Sequence, residues 1–171
     1  MHEKNKAEAE KLEKFVNEAL AFNKKHNIFV RESTKEVYEK DVYDCLPVLQ
    51  KINNSDKILD LGSGGGFPGI IIAILKPMCE IHLLEKSKKK CYFLNKTIDL
   101  LGLKNAKVLN TVISKNNSLG SYTLITARAF SSTFTNRRSN ASRHKPDSYK
   151  HKKTRVGKTQ CMKKTKLKQK N

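Results

Sequence analysis

The chain has no tryptophan, and only four cysteines among its 171 residues. Cys45, Cys79, Cys91 and Cys161 form no C-x-x-C pair and stand at no metal-ligand spacing from a histidine. That excludes a zinc-ribbon type of site, and free thiols in a reducing cytosol are expected, with no metal. Long apolar runs are missing too. The longest, Ile70 to Leu75, is far too short to cross a bilayer, so no membrane partner is expected. The opening MHEKNKAEAEK has no apolar stretch, which excludes a signal peptide. Acids are scarce at the other end. Residues 131–171 carry 14 Lys/Arg against one acid, Asp147, which is +13 of the chain's formal +19. Only 7 of those 41 residues are apolar, too few to bury a face, so this tail reads as basic and disordered. No internal repeat is present.

What the chain does have is order in its hydrophobic pattern. Leu12, Phe15, Val16, Ala19 and Leu20 recur at helical spacing and predict an amphipathic helix from about Glu8 to Lys24. Ser33-Thr34-Lys35-Glu36 fits a capping box, and Val37, Tyr38, Val42, Cys45, Leu46 and Leu49 line one face of a second helix. Pro47 is expected to end or kink it. From Lys57 the period changes. Lys57–Leu61, Glu80–Glu85, Ala106–Leu109 and Tyr122–Ala127 read as strands, with helices over Phe67–Lys76 and Lys88–Leu101. Gly102 is placed to stop the second of these. Strands alternating with helices predict βαβ units and a parallel sheet. The organisation expected is an N-terminal helical segment over 1–56, a Rossmann-like α/β core over 57–130, and the tail over 131–171.

Five of the eight glycines fall between Gly62 and Gly69, in ILDLGSGGGFPG. Glycines allow positive φ and let a ligand approach bare backbone. Ligands of open α/β sheets sit at this carboxyl edge. Three ligand classes compete for the loop. A nucleoside triphosphate would need GxxxxGK[ST], and no lysine follows Gly69. A dinucleotide would need GxGxxG, which Gly64, Gly66 and Gly69 satisfy, but Pro68 removes an N–H from the turn that would cradle a pyrophosphate. S-adenosylmethionine enzymes favour an acid directly before GxGxG, here Asp60 with Gly62, Gly64 and Gly66. That ligand carries an amine and a sulfonium and no phosphate, so an acid beside the loop is electrostatically apt. Asp60 could instead simply cap its strand. Glu85, 23 residues after Gly62, ends the second strand, where an acid can hold both hydroxyls of a ribose.

The segments GSGGGFPG, LLEKSKKKCYFL, LGLKNAKV and ITARAF, in this order, resemble the ribosomal RNA small subunit methyltransferase G family, also called glucose-inhibited division protein B. Upstream, FNKKHNI is similar to that family's W-N-K-x-x-N-L. The resemblance runs from about Lys11 to Phe130. It implies a Rossmann-like fold behind two N-terminal helices, with S-adenosyl-L-methionine as cofactor. It further implies methyl transfer to N7 of a guanine in 16S rRNA, by a cytoplasmic monomer acting on 16S rRNA or the small ribosomal subunit. Carried over by position, Gly62 and Phe67 belong to the cofactor loop, Glu85 to the ribose, and Ile113 and Ser114 to the segment after the third strand. Arg128 matches the arginine of R-A-F, a further site residue, and Lys89 and Lys90 match a basic pair expected to meet the RNA. Two departures stand out. Ser114 replaces a glutamate, leaving its backbone amide to serve. The family's H-I-x-D-S reads Asp41-Val42-Tyr43-Asp44-Cys45, so the histidine is replaced and Asp44 is kept.

Guanine N7 offers an exposed lone pair, so no general base is needed and no catalytic side chain is expected. Orientation alone supplies about 7–11 kcal/mol in such reactions. A second class of function stays open: a basic RNA-binding or assembly factor that keeps a methyltransferase core without activity. A nicotinamide-dependent dehydrogenase is a third. Because the resemblance stops after Phe130, residues 131–171 are expected to be a truncated or frameshifted end that leaves the sheet unfinished.

Overall fold

The computed structural model describes residues 2–112 and 119–128, and the backbone of 154–156 and 159–165. Helix α1 (His2–His26) starts earlier than its apolar stripe. Lys, Glu and Ala are good helix formers and extend it without a core to face. It ends at Asn27, whose φ of 49° turns the chain into the left-handed region. Ser33 caps α2 (Thr34–Val37) by accepting from the Glu36 amide. The reciprocal bond of the box shifts by one residue, and the Glu36 carboxylate accepts from the Glu32 amide at 3.1 Å. A π-helical turn (Tyr38–Val42) leads into α3 (Tyr43–Leu49). Pro47 does not end α3, because burying Cys45 and Val48 outweighs the missing backbone bond.

The four strands expected from the pattern form one parallel array: β1 (Lys57–Leu61), β2 (Glu80–Leu84), β3 (Ala106–Leu109) and β4 (Tyr122–Arg128). Helix α4 (Gly69–Leu75) connects β1 to β2, and α5 (Lys88–Leu101) connects β2 to β3. Gly102 closes α5 with φ 61°, its amide bonded to the carbonyls of Asp99 and Ile98. The sheet order is β3-β2-β1-β4-β6-β5. The chain thus winds outward from β1 to β3 and then returns to the other side of β1. The crevice between β1 and β4 at their carboxyl ends is the topological switch point.

The N-terminal helices are part of the same core. Phe15, Val16 and Val37 are buried in one cluster with Phe67, Ile70 and Phe93. A smaller cluster of Leu59, Leu61, Leu84, Tyr122 and Ala127 has formed on other strand positions.

The basic tail departs from its expectation. Strand β6 (Thr159–Thr165) pairs antiparallel with β4, and β5 (Thr154–Val156) pairs with β6. The reading of 131–171 as disordered rests on its lack of apolar residues. An open edge, however, recruits backbone, and β4 offers its N–H and C=O groups whatever side chains the added segment carries.

Candidate cofactor site

The glycine loop is pinned to the end of β2 before any ligand is considered. The amides of Gly62 and Ser63 both donate to the Leu84 carbonyl, at 2.8 and 3.1 Å. The Gly66 amide donates to Ser63 O, and Ile70 N to Gly66 O, both at 2.8 Å, which hands the loop on to α4. Gly62, Gly64 and Gly66 have φ of 70°, 56° and 90°. Gly69 serves close packing instead: a Cβ there would lie 2.1 Å from Leu83 Cδ2. At Gly64 a Cβ would come no nearer to another residue than 3.6 Å, to Gly62 O. The space beside Gly64 is therefore open, as a ligand approaching the backbone requires.

Glu85 sits against this loop. Its Oε2 accepts from Gly64 N at 3.0 Å and its Oε1 from Ser87 N at 2.8 Å. A carboxylate has about four lone-pair sites, so two acceptor positions are left for hydroxyl groups. The backbone of Glu85 is held from β3: its N–H donates to Leu109 O at 3.0 Å, and Asn110 Nδ2 donates to its carbonyl at 3.0 Å. Asn110 also reaches the carbonyl of Lys86 and the sulfur of Cys91. Asn110 lies outside the sequence motifs. Its position directly after the third strand was the available signal.

Asp60 departs from the expectation of ligand contact. It is 1% exposed, and its Oδ1 accepts from Thr126 Oγ1 at 2.8 Å, tying β1 to β4 beneath the loop. Burial raises its pKa above the usual carboxylate value, opposed by Thr126, Ser63 and the Gly69 amide. Oδ2 has no well-formed hydrogen bond; the Gly69 amide favours the charge without hydrogen-bonding geometry. Asp60 thus supports the loop from below. The Phe67 side chain is likewise buried, at 2% exposure, with its ring centroid 4.9 Å from Phe15 and 5.8 Å from Phe29. Any contact it makes with a ligand is through its backbone.

Arg128 ends β4 at this edge. Its guanidinium lies 5.0 Å from the centroid of the Phe67 ring and pairs with Asp41. Arg31 Nε donates to the other oxygen of the same carboxylate at 2.8 Å. The acid that meets Arg128 is Asp41, the residue standing where the family pattern has histidine. Asp44, the acid retained from the pattern, is half-buried one turn further along. Two guanidinium groups thus share one buried carboxylate, and Asp60 also lies within the field of Arg128. Asn23 completes the wall: its Oδ1 accepts from Phe29 N at 3.0 Å and its Nδ2 donates to Arg31 O at 3.1 Å.

Lys89 is exposed and Lys90 half-buried at the start of α5, whose cap is Ser87. Ile113 and Ser114 lie outside the described residues. Cys45, Cys79 and Cys91 are free and buried, and burial pushes the Cys45 thiol up to about 12, which removes it as a nucleophile. Among the described residues no group of three His, Cys, Asp or Glu is placed to hold a metal, and no helix is long and apolar enough to cross a membrane.

Comparison with known proteins adds what geometry alone does not. The family model described as rRNA small subunit methyltransferase G matches residues 8–159, past Phe130, where the resemblance had been expected to stop. The ribosomal RNA small subunit methyltransferase G of Acinetobacter baylyi is 36% identical over 122 residues, covering 70% of this chain and 57% of that relative. Its counterpart in a Psychrobacter species is 34% identical over 124 residues, covering 71% and 55%. The chain therefore spans somewhat over half the length of these relatives. Among solved structures, a coclaurine N-methyltransferase bound to N-methylheliamine and SAH matches with a TM-score of 0.47 at 14% identity, over 58% of this chain and 38% of that one. A putative protein-L-isoaspartate O-methyltransferase from Plasmodium falciparum matches with a TM-score of 0.40 at 22% identity, over 48% and 44%.

Proposed function

This chain belongs to the rRNA small subunit methyltransferase G family, and on that premise we propose that it methylates N7 of a guanine in 16S rRNA with S-adenosyl-L-methionine as donor. The observation that carries the reading is the juxtaposition of Glu85, Gly64 and Arg128 at the carboxyl edge of β1, β2 and β4. The bound cofactor would supply an electrophilic methyl group on a sulfonium.

The chain's own residues do the rest by placement. The backbone of Gly62, Gly64, Gly66 and Phe67 forms the open side of the loop. Glu85 accepts the ribose hydroxyls with its remaining lone pairs, and its anion also suits a cationic ligand. Arg128, held by Asp41 and resting on Phe67, presents positive charge to an anionic group of cofactor or RNA. Ile113 and Ser114 are assigned to the adenine side by their place in the family pattern. Lys89 and Lys90 are assigned to the RNA. No side chain has to remove a proton, because the N7 lone pair is already free. Burial of Cys45 and Cys91 is in keeping with a reaction that uses no nucleophilic side chain. We further infer action in the cytoplasm as a monomer, on the small ribosomal subunit or its 16S rRNA.

The test is methyl transfer from labelled S-adenosylmethionine to small subunits isolated from cells lacking the modification, with digestion of the RNA to nucleosides. Appearance of 7-methylguanosine supports the reading. Saturable cofactor binding without that product would move the chain to the second reading, an RNA-binding homologue without activity. The tail's 14 basic residues favour that alternative over any other.

A further inference from the structure

Helices α1 and α5 lie antiparallel, and their contacts keep a four-residue register. Lys14 Nζ donates to Leu100 O at 3.4 Å, Glu18 pairs with Lys96, and the Phe22 ring lies 6.3 Å from Tyr92 and 5.0 Å from Phe93. One further turn of that register brings Lys25 and His26 alongside Lys88 and Lys89. The two ends of the helix pair differ in charge. Glu10, Glu13 and Glu18, with the single base Lys14, line an open groove of about 600 Å³ at one end. At the other, Lys24, Lys25, Lys86, Lys88 and Lys89 are all exposed. No acid occurs from Ala19 to Arg31 or from Lys86 to Ile98. Among the described residues none of these five lysines is in an ion pair.

Tyr92 sits in this basic field with 64% of its surface exposed, while Phe22 backs its ring from within the core. A supported, outward aromatic ring framed by lysines is a stacking platform for bases with flanking contacts to phosphates. Three lysines at the start of α5 also oppose the helix dipole, a cost that an anionic ligand offsets. The platform leads to the cofactor edge. Lys86 directly follows Glu85, and Asn23 at the end of α1 holds Phe29 and Arg31 against the glycine loop.

We propose that a single-stranded segment of the substrate RNA crosses this end of the helix pair, with one base stacked on Tyr92 and its neighbouring phosphates on Lys24, Lys25, Lys88 and Lys89. The proposal rests on the RNA methyltransferase reading and adds a path for the RNA to it.

The test is fluorescence anisotropy of the full chain with a short labelled single-stranded RNA across a salt series. Tyr92→Ala should weaken binding by about 5- to 160-fold, the range for one stacked base, and Tyr92→Phe should bind as the parent does. Lys24→Gln with Lys25→Gln should reduce the magnitude of the log K against log salt slope by about 1.4, or about 0.7 per lost phosphate contact. The basic tail is common to all variants and drops out of the comparison. A Tyr92→Ala affinity within about two-fold of the parent, at an unchanged thermal midpoint, overturns the platform. So does a Tyr92→Phe loss as deep as that of alanine, or a slope unmoved by the lysine pair. Calorimetry with S-adenosylmethionine on the same parent sample judges the enzymatic reading separately. A chain that shows the Tyr92 effect but binds no cofactor keeps the platform and loses the methyltransferase.

Discussion

The two ends of the parallel sheet both carry an acid flanked by two basic side chains, and they are built on opposite terms. At the carboxyl edge, Asp41 is 1% exposed between Arg31 and Arg128. At the amino edge, Glu80 is about half exposed between Lys57, at 3.1 Å, and His82, at 2.8 Å. His82 is neutral in its favoured form. Its Nε2–H donates to Glu80 while Nδ1 accepts from the Tyr122 hydroxyl at 2.8 Å, so one tautomer satisfies both partners. The amino edge is thus a settled surface network. The carboxyl edge has a buried carboxylate shared by two arginines, a second acid with one oxygen poorly partnered, and three glycines at positive φ within one loop. The buried carboxylate shared by two arginines lies at the edge where open α/β sheets hold their ligands.

Matched substitutions should separate the two edges. Asp41→Asn keeps shape and removes charge, leaving two arginines without their counter-ion. It should destabilise the chain by about 3–5 kcal/mol in urea titration, as breaking a buried pair does. Glu85→Ala comes next. It should weaken S-adenosylmethionine binding by about 1.5–3 kcal/mol, the loss of hydrogen bonds to a charged acceptor, and an unchanged dissociation constant would remove the acid from the site. Glu80→Gln, the amino-edge counterpart of the first change, should cost about 0–1 kcal/mol, because solvent screens an exposed pair. A loss as large as that of Asp41→Asn would erase the contrast between the edges.

The smallest effect is in the pH dependence. Burial lowers the pKa of His82 below its ordinary value of 6.5, more strongly than Glu80 raises it. The unfolded chain then binds the proton more readily than the folded one. The histidine's contribution is fully present above about pH 6.5 and falls as the pH drops toward the folded value. His82→Gln should flatten this part of the stability profile, and an unaltered slope would show that His82 does not set it.

The strand–loop–helix–strand unit from Lys57 to Leu84 was legible because its signals are local. Glycines mark the turn, a continuous apolar run marks a helix buried on both sides, and Gly102 marks where α5 stops. Ser33 and its capping bond were legible for the same reason. The partners of the site were not. Asp41 meets Arg128 across 87 positions of sequence, and Thr126 meets Asp60 across 66. Nothing in residue spacing links them, and the pattern of the family pointed to Asp44. Asn110 was overlooked because a single amide after a strand carries no motif. The strands at 154–156 and 159–165 escaped because edge pairing is a property of backbone, whereas composition reports side chains.

We propose that the open backbone at Gly64, facing Glu85, receives S-adenosylmethionine. Isothermal titration of the cofactor into the parent chain and into Gly64→Val tests it most directly, with helical content compared by circular dichroism. Gly64 has φ 56° and open space at its Cβ position, so valine would fill the ligand's approach and strain the turn. Saturable binding to the parent is expected, and no measurable heat with a Gly64→Val chain of equal helicity. Equal affinity in the two chains, or no binding to the parent, would contradict it.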